Sequence, residues 1–197
     1  KLLISGADYA WRNFSVIRLN SDGSFDTSFS SDGLASTVAI SPDVGDYARV
    51  QSLTLQPDGK ILLVGEARTY INSGAEYGFR VVMARFNSNG SVDTSFSDDG
   101  VVNLDIGSWA EEKGVNAVIA ADGKIIVGGT ASVTTGSNSD LLVARYNSDG
   151  TLDTSFAQGG YLTTAIAQTG SLSDFLNKVL LQSDGKIVAA GFSVFRL

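Results

Sequence analysis

The stretch "LTLQPDGKILLVG" (residues 53–65) sets an apolar run on either side of Asp58-Gly59. Asp-Gly between apolar runs is a hairpin signal, because such turns need a residue at positive φ and glycine takes that conformation without steric cost. The second run, "KILLVG", is almost continuously apolar, which predicts a strand buried on both faces. The phrase returns as "AVIAADGKIIVGG" (residues 117–129) and "VLLQSDGKIVAAG" (residues 179–191), and the opening "KLLISG" is the second half of another copy. Its lysines, Lys1, Lys60, Lys124 and Lys186, stand 59, 64 and 62 residues apart. A fixed period of this size marks a repeat architecture.

Outward from the hairpin, each unit reads as four strands. The first is "VQSLTLQ" (residues 50–56) and the second "KILLVG"; the third is "FRVVMARF", matched by "FSVIRL", "LLVARY" and "FSVFRL". The fourth is short, as in "VVNL" (residues 101–104) or "YLTT" (residues 161–164). No stretch sustains an apolar period of 3.6, and 22 glycines with only 2 prolines punctuate the chain. The expected class is all-β. Four sequence-adjacent strands make an antiparallel blade, and blades stacked radially make a β-propeller, which protects sheet edges by repetition. A parallel β-helix, the rival, has much shorter coils. The expectation is therefore a β-propeller of four-stranded antiparallel blades of about 60 residues. The repeat units fall at approximately residues 1–48, 49–113, 114–176 and a partial 177–197, an arc of about three blades plus partial ends. Propellers close with about four to eight blades, so the remaining blades are expected from a longer chain or another copy. The abrupt "AAGFSVFRL" lacks the connection seen in other units, so residues are expected to be missing between Gly191 and Phe192.

Between the third and fourth strands a decapeptide recurs: "NSDGSFDTSF" (residues 20–29), "NSNGSVDTSF" (87–96) and "NSDGTLDTSF" (147–156). Its spaced oxygens suggest calcium, since hard cations take closely set oxygen ligands around a glycine turn. Against that, an EF-hand-like loop needs more acids and a distal bidentate one. Asn89 replaces the acid found at Asp22 and Asp149, leaving Asp93 as the only carboxylate of its copy. The turn reading accounts for more residues. Asn-Ser-Asp-Gly is turn chemistry, and Asp-Thr-Ser bonds the next backbone turn. Phe25, Val92 or Leu152, with the closing Phe29, Phe96 or Phe156, would anchor the loop in the core. Asp22, Asp26, Phe29, Asp93, Phe96, Asp149, Asp153 and Phe156 are accordingly read as a structural clasp. No cofactor is expected, and calcium stays as the alternative. Arg18, Arg85, Arg145 and Arg196 close the third strands, and their planar guanidinium suits a carboxylate or carbonyl of the neighbouring turn.

The formal charge of −7 opposes binding to a phosphate backbone, so nucleic acid is not an expected partner. No apolar run is long enough to span a bilayer. Histidine and cysteine are both absent, which removes Ser-His-Asp triads, imidazole bases and thiolate chemistry. The pair Glu111-Glu112 occurs once, beside Lys113, and reads as solvated loop surface. The connections between second and third strands vary most and carry Tyr9, Trp11, Tyr70 and Tyr77, a candidate aromatic platform for a glycan or a protein partner, with packing against a neighbouring blade as the alternative. Tyr47, Trp109 and Phe175, ahead of the first strands, read instead as blade-to-blade packing. The acidic balance favours a neutral or basic protein partner.

Taken together, "DGKI" with its apolar run, "ARYNSDGTLDTSF" and the following "GG" or "DG" resemble the delta-60 repeat family over the whole chain. The resemblance implies a propeller fold and a bacterial secreted or cell-surface setting, and supplies no catalytic residues. The function it suggests is a non-catalytic binding, adhesion or scaffolding module. A carbohydrate-active or metal-dependent hydrolase on the same scaffold is the alternative.

Overall fold

A computed structural model describes residues 1–8, 12–37, 40, 47–71, 76–104, 111–132, 138–165 and 171–195. Among these residues every regular element is a strand. Strands β1 (Leu2–Ala7), β2 (Phe14–Leu19) and β3 (Leu34–Ser36) form one antiparallel sheet in chain order. Strands β4 (Ala48–Leu55), β5 (Ile61–Ile71), β6 (Glu76–Phe86) and β7 (Val101–Asn103) form a second antiparallel series. Strands β8 (Glu111–Ile119), β9 (Ile125–Ser132), β10 (Ser139–Tyr146) and β11 (Tyr161–Thr164) repeat it. Strands β12 (Ser171–Leu181) and β13 (Ile187–Phe195) make a final hairpin. The second and third series touch edge to edge through one parallel pair, Phe79↔Glu111.

The hairpin at Asp58-Gly59 closes through the Gln56 N–H, which donates to the Lys60 carbonyl at 2.8 Å, while Gly59 sits at φ 84°. The same closure recurs at Ala120/Lys124 and Gln182/Lys186. Four residue pairs beyond it, β4, β8 and β12 each slip register by a bulge, at Val50/Ser52, Gly114/Asn116 and Leu176/Lys178. The bulge drives a carbonyl into the second strand. A Cβ on Gly65, Gly129 or Gly191 would fall on the carbonyl oxygen of Arg49, Lys113 or Phe175. Close backbone approach, not turn geometry, is why "KILLVG" ends on glycine.

Alternation then builds the core. Ile61 and Leu63 face a cluster with Phe14, Val16, Phe29 and Phe86, while Leu62 and Val64 face one with Met83, Phe96, Ile125 and Tyr146. In β9, Ile125 and Val127 join that second cluster while Ile126 turns to a third with Val143 and Val179. Strands β5 and β9 are thus covered on both faces by neighbouring series, whereas Leu2 and Ile4 of β1 and Val188 of β13 are exposed; each buried large side chain contributes about 1.5–3 kcal/mol. The stacking is that of a propeller-like arc.

Four expectations change. "FSVFRL" is not a third strand: Phe192–Phe195 continues β13 and pairs with β12 through Phe195↔Ser171. With no intervening turn residues the chain cannot reverse. Tyr70 and Tyr77 are not loop residues either, since β5 and β6 extend to Ile71 and Glu76 and pair them directly. Phe25 does not enter the core: its backbone bridges Leu19, but the side chain is 55% exposed. Glu111 and Glu112 open β8 instead of a solvated loop, and Glu112 is fully buried beside Arg80, 3.0 Å away.

Candidate functional site

Two constructions occupy opposite ends of the strands. At the end carrying the Asp-Gly turns lie the three decapeptides. Within each, an Asx oxygen caps the turn. Asp22 Oδ1 accepts from the Ser24 N–H at 3.0 Å and its hydroxyl at 2.7 Å; Asn89 Oδ1 does the same with Ser91 at 3.0 and 2.8 Å. Asp149 repeats it with Thr151. An amide oxygen serves as well as a carboxylate here, which is why Asn89 is tolerated.

The second acid is different because it is nearly buried. Asp93 Oδ2 accepts from Arg85 Nε at 2.6 Å and Lys60 Nζ at 2.8 Å, and its Oδ1 accepts from the Ser95 hydroxyl at 2.6 Å. Asp153 does likewise with Arg145 at 2.7 Å, Lys124 at 2.8 Å and Ser155 at 2.6 Å. Asp26 has Arg18 at 2.7 Å, Lys1 at 3.0 Å and Ser28 at 2.7 Å. The lysine comes from the Asp-Gly hairpin and the arginine from the third strand, so one carboxylate ties two separate motifs of a unit. All three carboxyls lie well below the usual range. For Asp26 the Ser28 hydroxyl is the main cause, for Asp153 the Lys124 ammonium; for Asp93 burial pushes upward, but Lys60, Ser95 and Arg85 outweigh it. Each acid already has two cationic partners and a hydroxyl, which leaves little to offer a cation. No group of three metal-ligating acids is assembled among the described residues.

The clasp also crosses between units. Arg18 Nη1 donates to the Ser88 carbonyl at 2.7 Å and Arg85 Nη1 to the Ser148 carbonyl at 2.5 Å, each in the next decapeptide. The Ser30 and Ser97 N–H groups donate to the Asn89 and Asp149 carbonyls, both at 2.8 Å. Each guanidinium caps its own phenylalanine: Arg18 over Phe29 at 4.6 Å, Arg85 over Phe96 at 4.3 Å, Arg145 over Phe156 at 4.7 Å. Phe29 and Phe96 are fully buried, whereas Phe156, with no following decapeptide against it among the described residues, is half-buried.

At the other end, between the starts of β4, β8 and β12, lies a cleft of about 370 Å³. Tyr47 and Phe79 meet edge to face at 5.4 Å, and Lys113 Nζ stands 4.9 Å from the Phe79 ring centre. Arg49, Glu66 and Phe175 complete its working surface. Burial pushes the Glu66 carboxyl up, with Lys113 and Arg49 partly opposing it. Phe175 is 38% exposed and stacks on Phe192 of its own hairpin, and Tyr47 meets Phe79 of its own series. Sequence reasoning missed Arg49, Glu66 and Phe79, which sit inside strands; a charge at 66 where the matching strand has Thr130 was the available signal. Of the aromatic platform, Tyr9 and Trp11 lie outside the described residues, as do Trp109, Arg196 and the side chains of Tyr70 and Tyr77. The β5–β6 hairpin places the Tyr70 and Tyr77 backbones at the same end as the cleft.

No curated protein matches the chain. A family model described as a domain of unknown function (DUF5122) beta-propeller matches residues 1–29, 56–96 and 120–156. Each segment holds one full clasp, from its lysine (Lys1, Lys60 or Lys124) to its phenylalanine (Phe29, Phe96 or Phe156). Those three segments take in more than half of the chain, which therefore belongs to the DUF5122 beta-propeller family.

Proposed function

We propose that the chain is a non-catalytic binding and scaffolding module, built of four-stranded blades of about 60 residues and exposed on or outside a bacterial cell. The setting rests on the delta-60 resemblance. The partner is a glycan or a neutral-to-basic protein, engaged at the strand ends opposite the clasp. One observation carries the reading: the cleft combines the Tyr47 and Phe79 rings with Arg49, Lys113 and Glu66, whereas Lys60, Arg85 and Asp93 at the decapeptide end are paired with one another. Aromatic faces flanked by a few polar groups suit sugar rings and protein anchors alike.

The test is a glycan array and a surface-protein capture assay, repeated with Phe79→Ala, Lys113→Ala and Trp11→Ala. Truncating a true anchor costs about 2 kcal/mol or more, roughly a thirtyfold loss of affinity. Unchanged capture by all three folded variants places the partner elsewhere. Glu66 favours the hydrolase alternative, since a carboxyl raised by burial in a cleft has the character of a general acid. Turnover of a sugar or ester panel, lost in Glu66→Gln, would replace the binding reading with that one.

A further inference from the structure

Glu66 departs from the repeat that contains it. Counted from the hairpin lysines Lys1, Lys60, Lys124 and Lys186, the matching places hold Ala7, Glu66, Thr130 and Phe192, so the strand itself does not call for a carboxyl there. Glu66 continues the face of β5 on which Leu62 and Val64 pack toward β8 and β9, and it is 5% exposed. Among the described residues it makes no hydrogen bond or ion pair, and Lys113 and Arg49 act on it only through space. A buried acceptor without a donor is costly to keep, and here it lines an open cleft.

Arg49 is its counterpart. It stands directly opposite Glu66 across β4 and β5, is exposed, and among the described residues likewise has no hydrogen bond or ion pair. Lys113, which takes the same place in the next unit, is engaged by Glu111 at 3.2 Å and by the Phe79 ring. The cleft therefore presents an uncommitted guanidinium and an uncommitted carboxyl beside the Tyr47 and Phe79 rings.

Resting on the binding reading of this cleft, we propose that its ligand is a sugar bearing a carboxylate, a hexuronic acid unit, with Arg49 on the carboxylate, Glu66 on ring hydroxyls and an aromatic ring against the sugar face. The planar guanidinium fork matches a carboxylate bidentately. Sugar hydroxyls both donate and accept, so they satisfy Glu66 whether or not burial keeps its proton on. A neutral sugar would leave Arg49 unused, and a ligand ammonium on Glu66 would face both Arg49 and Lys113. The volume of about 370 Å³ suits a small ligand, which favours a sugar unit over a protein surface.

The experiment is calorimetric titration of the chain with short oligomers of galacturonate, glucuronate, mannuronate and guluronate, each beside its methyl ester, which keeps the ring and hydroxyls but removes the charge. At least one uronate should bind, with its ester about tenfold or more weaker. Raising salt from about 50 to 300 mM should weaken the acid and not the ester. Arg49→Gln, which loses no partner within the fold, should weaken the acid by about tenfold and spare the ester, while Glu66→Ala should weaken both. Equal binding of acid and ester, or full affinity for the acid in folded Arg49→Gln, overturns the proposal and leaves a module for neutral sugars. Binding of none of the four uronates overturns it too. The binding reading falls with it only if the glycan array and the protein capture are also empty; capture of a protein alone would keep that reading and reject the sugar.

Discussion

Arg85 holds Asp93 at 2.6 Å through Nε while its Nη1 reaches the Ser148 carbonyl, 63 residues along the chain, at 2.5 Å. One planar guanidinium therefore fixes the turn of its own unit and the turn of the next. Lysine has no second donor in a fixed fork. Arg85→Lys should cost about 2–3 kcal/mol by chemical denaturation, the scale of a lost charge-assisted hydrogen bond in a buried site. Arg145→Lys should cost clearly less, because Arg145 is 27% exposed against 6% for Arg85.

The phenylalanines should rank by burial. Phe29→Ala and Phe96→Ala each empty a fully buried aromatic site and should destabilise by about 3–5 kcal/mol in urea or thermal unfolding. Phe156→Ala removes a half-buried ring and should fall well below them. Equal losses at all three would mean that the cross-unit contact adds nothing.

Two glycines with the same backbone conformation should respond differently. Gly23 and Gly150 sit at φ 86° and 91°, but a Cβ on Gly23 meets open space while one on Gly150 lies 2.9 Å from the Phe96 ring. Gly23→Ala should cost only the left-handed strain, about 1–2 kcal/mol. Gly150→Ala adds displacement of a buried ring and should melt several degrees lower than Gly23→Ala.

Acid should act through the second clasp acids. Asp26, Asp93 and Asp153 are depressed in the folded state, so their contribution is complete above the unfolded carboxyl range and is lost as pH falls through their folded values. Carboxyl NMR titration should find all three still ionised near pH 3.9, where an unperturbed aspartate is about half protonated. Asp22→Asn should leave that behaviour unchanged, since Asn89 fills the matching turn position.

Much of this was written in the chain. Asp58-Gly59 between apolar runs announced the hairpin, and the unbroken "KILLVG" announced a strand buried on both sides, because turn chemistry and two-residue alternation are local properties. What failed was non-local. "FSVFRL" matches "FSVIRL" in composition, yet only the lack of a reversing turn makes its first four residues, Phe192–Phe195, the end of β13. Glu112 looked solvated because Arg80, its partner, is 32 residues away in sequence. The cleft residues Arg49, Glu66 and Phe79 come from three strands, and no spacing rule joins them.

The central claim is that the decapeptide is a joint between successive units, and the Ser97 amide reports on it most directly because it donates across that joint to the Asp149 carbonyl at 2.8 Å. Native-state hydrogen exchange should find Ser97 N–H protected to nearly the level of core amides in β5 and β9, and exposed by at least about tenfold in Arg85→Lys. Exchange at the rate of a free surface loop in the unaltered chain, or protection unchanged by the substitution, would contradict it.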